Sequence, residues 1–226
     1  MPIPLYYAAN WKEIVNNSKK RWAQTGFGFN ADGSARIPQH VVPGMPCVID
    51  DAVLPAISEE AVQTLSQYCV NGCYLDFERP ISERHRSLLR LLRGRTSRSK
   101  LFAVPARFAA EGMQPVLSCP TPCNSWEAFL SSAERRFPTG WMLELIPWDR
   151  FVPGPGGNAA LPAKRLSQAV CFLKTAENGV RYYDTPETLQ AKLSMAERRR
   201  CIAAIGLYQE LAALSAPPAR REAHGP

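Results

Sequence analysis

The chain has no apolar run that approaches the length needed to cross a bilayer, which excludes a membrane-spanning helix. Its start, Met1-Pro-Ile-Pro-Leu-Tyr-Tyr, lacks the basic and long apolar regions of a secretory signal, so a cytoplasmic protein is expected. Histidine is scarce: His40, His85 and His224 are the only three, and none stands at ligand spacing from another. Cysteine is present seven times, an odd number that reads as reduced thiols rather than a disulfide framework. The pairs Cys69/Cys73 and Cys119/Cys123 have three intervening residues where zinc knuckles usually have two, so no metal and no cofactor is expected. A glycine-rich phosphate turn is also missing. Gly26-Phe-Gly28 has no third glycine and no helix after it, which weighs against an open dinucleotide-binding sheet.

What is present suits one globular domain. The 226 residues are 46% apolar, enough to bury a full core. The net charge of +7 is unevenly placed, with eight basic residues against the single acid Glu83 between Arg79 and Lys100. Leu88, Leu89, Leu91 and Leu92 give that segment a buried stripe, and no aromatics interleave with its arginines to stack bases. The Arg-rich helix over 82–98 therefore reads as a solvated outer helix, and nucleic acid is not the expected partner.

Short apolar segments alternate with amphipathic ones, the pattern of a parallel α/β fold. Strands are predicted at Leu5–Trp11, Gly26–Phe29, Pro46–Asp51, 72–79, Lys100–Ala106, Gln114–Ser118, Trp141–Trp148 and Cys201–Tyr208. Asn178-Gly179 predicts a hairpin between strands at Ala169–Thr175 and Val180–Asp184. Helices are predicted after Ser58, over the Arg-rich segment, after an Asn124 cap with Glu127 completing a capping box, and from Thr185-Pro186 to about Arg200. Eight parallel strands can close into a barrel, which removes their edges. At this length it would be a reduced (β/α)8 TIM-like barrel with crossover helices shortened or missing. One domain over 1–214 is expected, with a disordered Ala/Pro/Arg-rich tail over 215–226.

The segment Asn71-Gly-Cys-Tyr-Leu-Asp76-Phe-Glu78-Arg-Pro80 carries the chemistry. On a strand Tyr74, Asp76 and Glu78 point one way while Cys73, Leu75 and Phe77 point the other. Apolar residues on one face and acids on the other suit a barrel strand packed outward on helices and turned inward to a site. Neighbouring carboxyls raise each other's pKa, and burial adds to it, so one can stay protonated near neutral pH and act as a general acid. The alternative is that both acids pair with arginines such as Arg79. Asp50, Asp51 and Glu144 also end or line strands.

The order of these segments resembles the family-18 glycoside hydrolases, the chitinase-like barrels. Asn71–Glu78 is similar to their D-G-x-D-x-D-x-E strand, with Gly72, Asp76 and Glu78 in matching places. Asn71 and Tyr74 replace the first and middle Asp. Ile146-Pro-Trp148-Asp149 resembles the family's M-x-Y-D strand end, with Trp for Tyr. Val180-Arg-Tyr-Tyr-Asp184 and its continuation to Lys192 are similar to the segment before the last strand of spore cortex-lytic members, and Tyr208 stands in the place of that strand's terminal Trp. The resemblance implies Glu78 as general acid and base, and Asp76 orienting a 2-acetamido group whose carbonyl oxygen is the nucleophile, a substrate-assisted route. It implies Tyr74, Trp148, Asp149 and Tyr208 as contacts to an N-acetyl-sugar polymer, peptidoglycan or chitin-like. With the middle Asp replaced, the other expectation is a catalytically inactive barrel that binds a glycan or a protein partner.

Overall fold

The computed structural model describes residues 2–16, 20–54, 56–96, 100–119, 125–153, 170–176 and 179–212. The strands are β1 (Leu5–Ala9), β2 (Arg21–Phe29), β3 (Ala35–Arg36), β4 (Cys47–Asp50), β5 (Cys73–Asp76), β6 (Phe102–Pro105), β7 (Gln114–Ser118), β8 (Trp141–Glu144), β9 (Asp149–Pro153), β10 (Phe172–Ala176), β11 (Gly179–Tyr183) and β12 (Cys201–Leu207). Six α-helices lie among the described residues: α1 (Trp11–Val15), α2 (Glu59–Ser66), α3 (Glu83–Arg95), α4 (Trp126–Arg136), α5 (Pro186–Glu197) and α6 (Tyr208–Leu211).

Eight parallel strands close on themselves in the order β1, β12, β8, β7, β6, β5, β4, β2, and β2 pairs back to β1. This is the reduced TIM-like barrel. The connection from β2 to β4 carries the hairpin strand β3 instead of a helix, and β6 runs into β7 through a short turn. Full closure leaves no free edge among the eight, which lets so short a chain do without several crossover helices.

Two apolar layers follow from the strand alternation. Inside the barrel lie small residues, Ala8, Ala23, Ala103 and Ala203, around the larger Tyr74 and Met142. Outside, Ile49, Leu75 and Phe27 pack on Leu65 and Leu88, while Trp141 and Leu143 pack on Leu130 and Leu189. The leucines of the Arg-rich segment are part of this outer core, as a solvated helix with one buried stripe requires. Entry to β5 depends on Gly72, whose φ is +108°, and a Cβ there would stand 2.9 Å from the Leu101 carbonyl oxygen.

Several boundaries differ from the sequence expectation. The first strand stops at Ala9 because Asn10 caps α1 and forms a capping box with Glu13. The second is longer than expected, beginning at Arg21. The strand predicted to reach Trp148 ends at Glu144, and Tyr208 opens α6 instead of closing the last strand. Helix α4 is capped by Ser125, and Glu127 pairs with Arg199 instead of serving a capping box; Asn124 lies outside the described residues. In the antiparallel trio β10-β11-β9, Ala176 stands opposite Gly179. The hairpin residue Asn178, the Gly/Pro loop from 154 and the tail from 213 lie outside the described residues.

Candidate functional site

Parallel strands of a barrel end together, so their last inward side chains meet at one mouth. Here β5 and β8 end in acids. Asp50 and Asp76 are cross-strand neighbours at the ends of β4 and β5. Glu144 at the end of β8 is registered with Ser118 of β7 and Ile205 of β12. A cavity of about 240 Å³ opens at this mouth, with Tyr74, Asp76, Glu78 and Glu144 on its wall. The volume is just under the roughly 300 Å³ at which ligand pockets usually begin, so the cavity admits the reacting end of a ligand and no whole oligomer.

The alternation in β5 places its residues as the sequence predicts. Leu75 and Phe77 are buried in the outer core, and Tyr74 is buried inside the barrel. Glu78 is exposed, just past the end of the strand. Its backbone position is fixed from β4's end. The buried Asp51 carboxylate accepts hydrogen bonds from the Glu78 N–H (3.0 Å) and the Arg79 N–H (2.9 Å), and it sits 3.0 Å from His85 Nε2. Two arginines near Glu78 have other partners. The Arg79 guanidinium donates to the Ala52 carbonyl, and that of Arg107 donates to the Phe77 carbonyl. Among the described residues Glu78 forms no ion pair.

The electrostatics of the mouth are those of carboxyls crowded out of water. Burial first, and then the charges of Glu78, Asp50 and Asp51, push the Asp76 carboxyl up to about 6. Burial and then Asp76 push Glu144 up to about 6, against hydrogen bonds from Ser118 and Tyr74 that favour its ionised form. The Tyr74 phenol is driven well above its usual range by burial and by Glu144 and Asp76. Asp50 is tied to Arg36 in an ion pair. Near neutral pH the mouth therefore holds carboxyls that give up or take a proton with little driving force, the property acid–base chemistry needs. Glu144 is the residue whose weight the sequence understates. Its inward position follows from the alternation of Trp141 and Leu143 against Met142 and Glu144, but its meeting with Asp76 depends on barrel closure.

Three expected ligand contacts are elsewhere. Trp148 is buried in the outer core, its indole N–H donating to the Cys119 carbonyl at 2.6 Å and its ring 3.3 Å from Lys192 Nζ. Asp149 is exposed and forms a two-pronged ion pair with Arg181 across β9 and β11, at 2.7 and 2.6 Å. Tyr208 packs on the outer wall against Trp22 and Tyr7, ring centroids 5.0 and 6.2 Å away. The motif from Asp184 to Lys192 is a structural clamp. Lys192 donates to Asp184 at 2.7 Å, both side chains being at most 1% exposed, and Asp184 also accepts from the Trp148 N–H and the Thr188 hydroxyl. Thr188 and Lys192 stand four and eight residues after Asp184, on one face of α5.

No family model matches the chain, and no curated protein matches it in sequence. The fold does have relatives among solved structures. It is similar to the spore cortex-lytic enzyme SleL of Bacillus cereus, with a TM-score of 0.55 and 13% identity over 94% of this chain and 74% of that one. SleL of Bacillus megaterium QM B1551 gives a TM-score of 0.52 at 12% identity, covering 90% of this chain and 70% of the other. At such identities the likeness is one of fold.

Proposed function

We propose that the barrel mouth is a carbohydrate site and that the protein is a family-18-like hydrolase of N-acetyl-sugar polymers, peptidoglycan or chitin-like. One observation carries this reading: Glu78 stands on the rim of the cavity free of any described ion pair, next to an Asp76 carboxyl whose pKa lies near 6. In its protonated form Glu78 gives its proton to the glycosidic oxygen as the bond to the anomeric carbon breaks. The substrate's acetamido carbonyl oxygen closes on that carbon, the acetamido group being held by Asp76. Water then adds to the anomeric carbon as its bond to the acetamido oxygen breaks, and the water gives a proton back to Glu78. Each role falls to a residue already on the cavity wall.

A second reading is supported by what the wall lacks. Tyr74 is the only aromatic among the described residues lining the cavity, so no flat ring serves as a sugar floor. A barrel that holds a glycan without cleaving it suits that wall. Incubating the purified protein with chitooligosaccharides and peptidoglycan fragments, with binding and product release both followed, separates the two. Cleavage that disappears in Glu78→Gln supports the hydrolase, and binding without cleavage supports the second reading. Neither binding nor cleavage refutes both.

A further inference from the structure

A second group of chemically reactive side chains lies outside the barrel mouth, on the far side of Asp51. Helix α3 begins at Glu83 with Ser82 as its cap, and His85 occupies the third helical position. The Ser82 hydroxyl oxygen is 2.7 Å from His85 Nδ1, and His85 Nε2 is 3.0 Å from an Asp51 carboxylate oxygen. Asp51 and His85 are each 2% exposed, while Ser82 is open to solvent.

A capping interaction accounts for part of this arrangement. The Ser82 N–H donates to His85 Nδ1 at 3.2 Å, so the imidazole closes the first turn as a Glu or Gln would. Capping does not require a carboxylate on the other ring nitrogen, and that carboxylate fixes the chemistry. Burial works against ionisation of Asp51, but its hydrogen bonds from the Glu78 N–H, His85 and the Arg79 N–H hold its carboxyl below the usual range. An ionised carboxylate only accepts, so His85 Nε2 must carry a hydrogen. The neutral ring then has its lone pair on Nδ1, which the Ser82 hydroxyl and the Ser82 N–H share as donors, the hydroxyl being the nearer. The hydroxyl is thus hydrogen-bonded to a base that a buried carboxylate orients and whose protonated form it would stabilise. Phe77 and Phe108 pack against the imidazole, with centroids 5.2 and 5.1 Å away, and shield it from water.

The serine also faces space for a substrate. A pocket of about 450 Å³ is lined by Leu54, Arg79, Pro80, Ser82, Glu83, Arg84 and His85, and the Glu83 carboxylate is paired with Arg86. Its two guanidinium groups are tethered to backbone carbonyls, Arg79 to Ala52 and Arg84 to Leu54. The first amides of α3, at Glu83 and Arg84, have no carbonyl partner within the helix and lie beside Ser82 at the positive end of a 13-residue helix. A carbonyl carbon presented to Ser82 would develop its negative oxygen close to those donors.

We infer that Ser82, His85 and Asp51 form a second hydrolytic site, one that takes small carboxylic esters and lies outside the barrel mouth. The Ser82 oxygen adds to the ester carbonyl as its proton passes to His85 Nδ1. The carbon–oxygen bond to the alcohol breaks, and that alcohol leaves with the proton from His85. Water then adds to the acyl-serine, again giving its proton to Nδ1. The bond to Ser82 breaks, the serine recovers its proton, and the carboxylic acid departs.

The test uses the full chain and two probes, diisopropyl fluorophosphate and p-nitrophenyl acetate. The expected result is a phosphoryl adduct on the Ser82 peptide by mass spectrometry and ester hydrolysis above the no-protein rate, both lost in Ser82→Ala. Ser82 is exposed, so that variant should fold with a slightly lower melting temperature for the lost helix cap, and an unchanged circular dichroism spectrum would establish that it does. His85→Gln should lower the labelling rate by at least about 10²-fold, the usual cost of losing a general base. If that variant unfolds, a labelling rate in the wild type that rises with pH as a single histidine deprotonates stands in for it. The inference is overturned if folded wild-type protein leaves Ser82 unlabelled, or if Ser82→Ala hydrolyses the ester as fast as the wild type.

Discussion

Replacing Asp76 with Asn should make the protein more stable above neutral pH and leave its stability unchanged in acid. The Asp76 carboxyl is raised from 3.8 to about 6, chiefly by burial and then by the charges around it. A group raised in the folded state keeps its proton while the unfolded chain has already lost it. Between roughly pH 4 and 6 the unfolded state is therefore favoured progressively, and above that the loss is constant. Two units at 1.36 kcal/mol each make about 3 kcal/mol, and partial solvent access brings the figure down to about 2 kcal/mol. For a chain of this size, that corresponds to a melting temperature about 4–8 °C higher. Urea unfolding of wild type and Asp76→Asn at pH 4, 6 and 8 reads the difference directly. The gap should be near zero at pH 4 and open by pH 8, with the variant the more stable. A variant less stable than wild type at pH 8 would show that a partner favours the Asp76 carboxylate, and the crowded-carboxyl account of the mouth would fail. Glu144→Gln should behave in the same sense, though the two effects will not add, because each carboxyl is part of what raises the other.

Glu78→Gln should cut any hydrolysis of an N-acetyl-sugar polymer by at least about 10²-fold and leave glycan binding intact, measured by product release and by calorimetry. Lys192→Met should cost about 3–5 kcal/mol in urea unfolding, since it strands the Asp184 carboxylate among Trp148, Thr188 and apolar neighbours. A loss below 1 kcal/mol would show that the clamp is not structural. Thiol titration in denaturant should find seven reactive cysteines, and a count of three or fewer would show that disulfides hold the chain.

The site strand was legible because its signal is local. Polar and apolar residues alternate without interruption from Cys73 to Glu78, and alternation alone decides which side chains face inward. The barrel was legible for a similar reason, since its strands are short apolar runs spaced by amphipathic segments. Trp148 and Tyr208 were not, because both lie beyond the ends of their strands. The period-two rule lapses after Glu144 and after Leu207, and an aromatic side chain then turns toward whichever core is nearer. Asp51 was underweighted for another reason. Its three partners, at 78, 79 and 85, are 27 to 34 residues away, and no local pattern announces a buried carboxylate that organises a distant turn. The interior alanines likewise make sense only once eight strands face one another.

The way the barrel closes has a consequence for how the chain reaches its native state. Strand β1 bonds on one side to β2, its neighbour in sequence, and on the other to β12, with Leu5 paired to Ala204. The β1–β12 seam therefore joins the first described strand to the last, and the loop it closes takes in most of the described residues. Loop entropy of that kind rises only slowly with length, but it has to be met before the seam's contacts form, so the final closure should be late and slow. Until then β1, on the β1–β2 pair, and β12 present unpaired edges of mostly apolar strands, which are templates for intermolecular pairing. A chain lacking its first nine residues would keep two open edges, on β2 and β12, and it should be recovered as aggregate, not as a less active barrel.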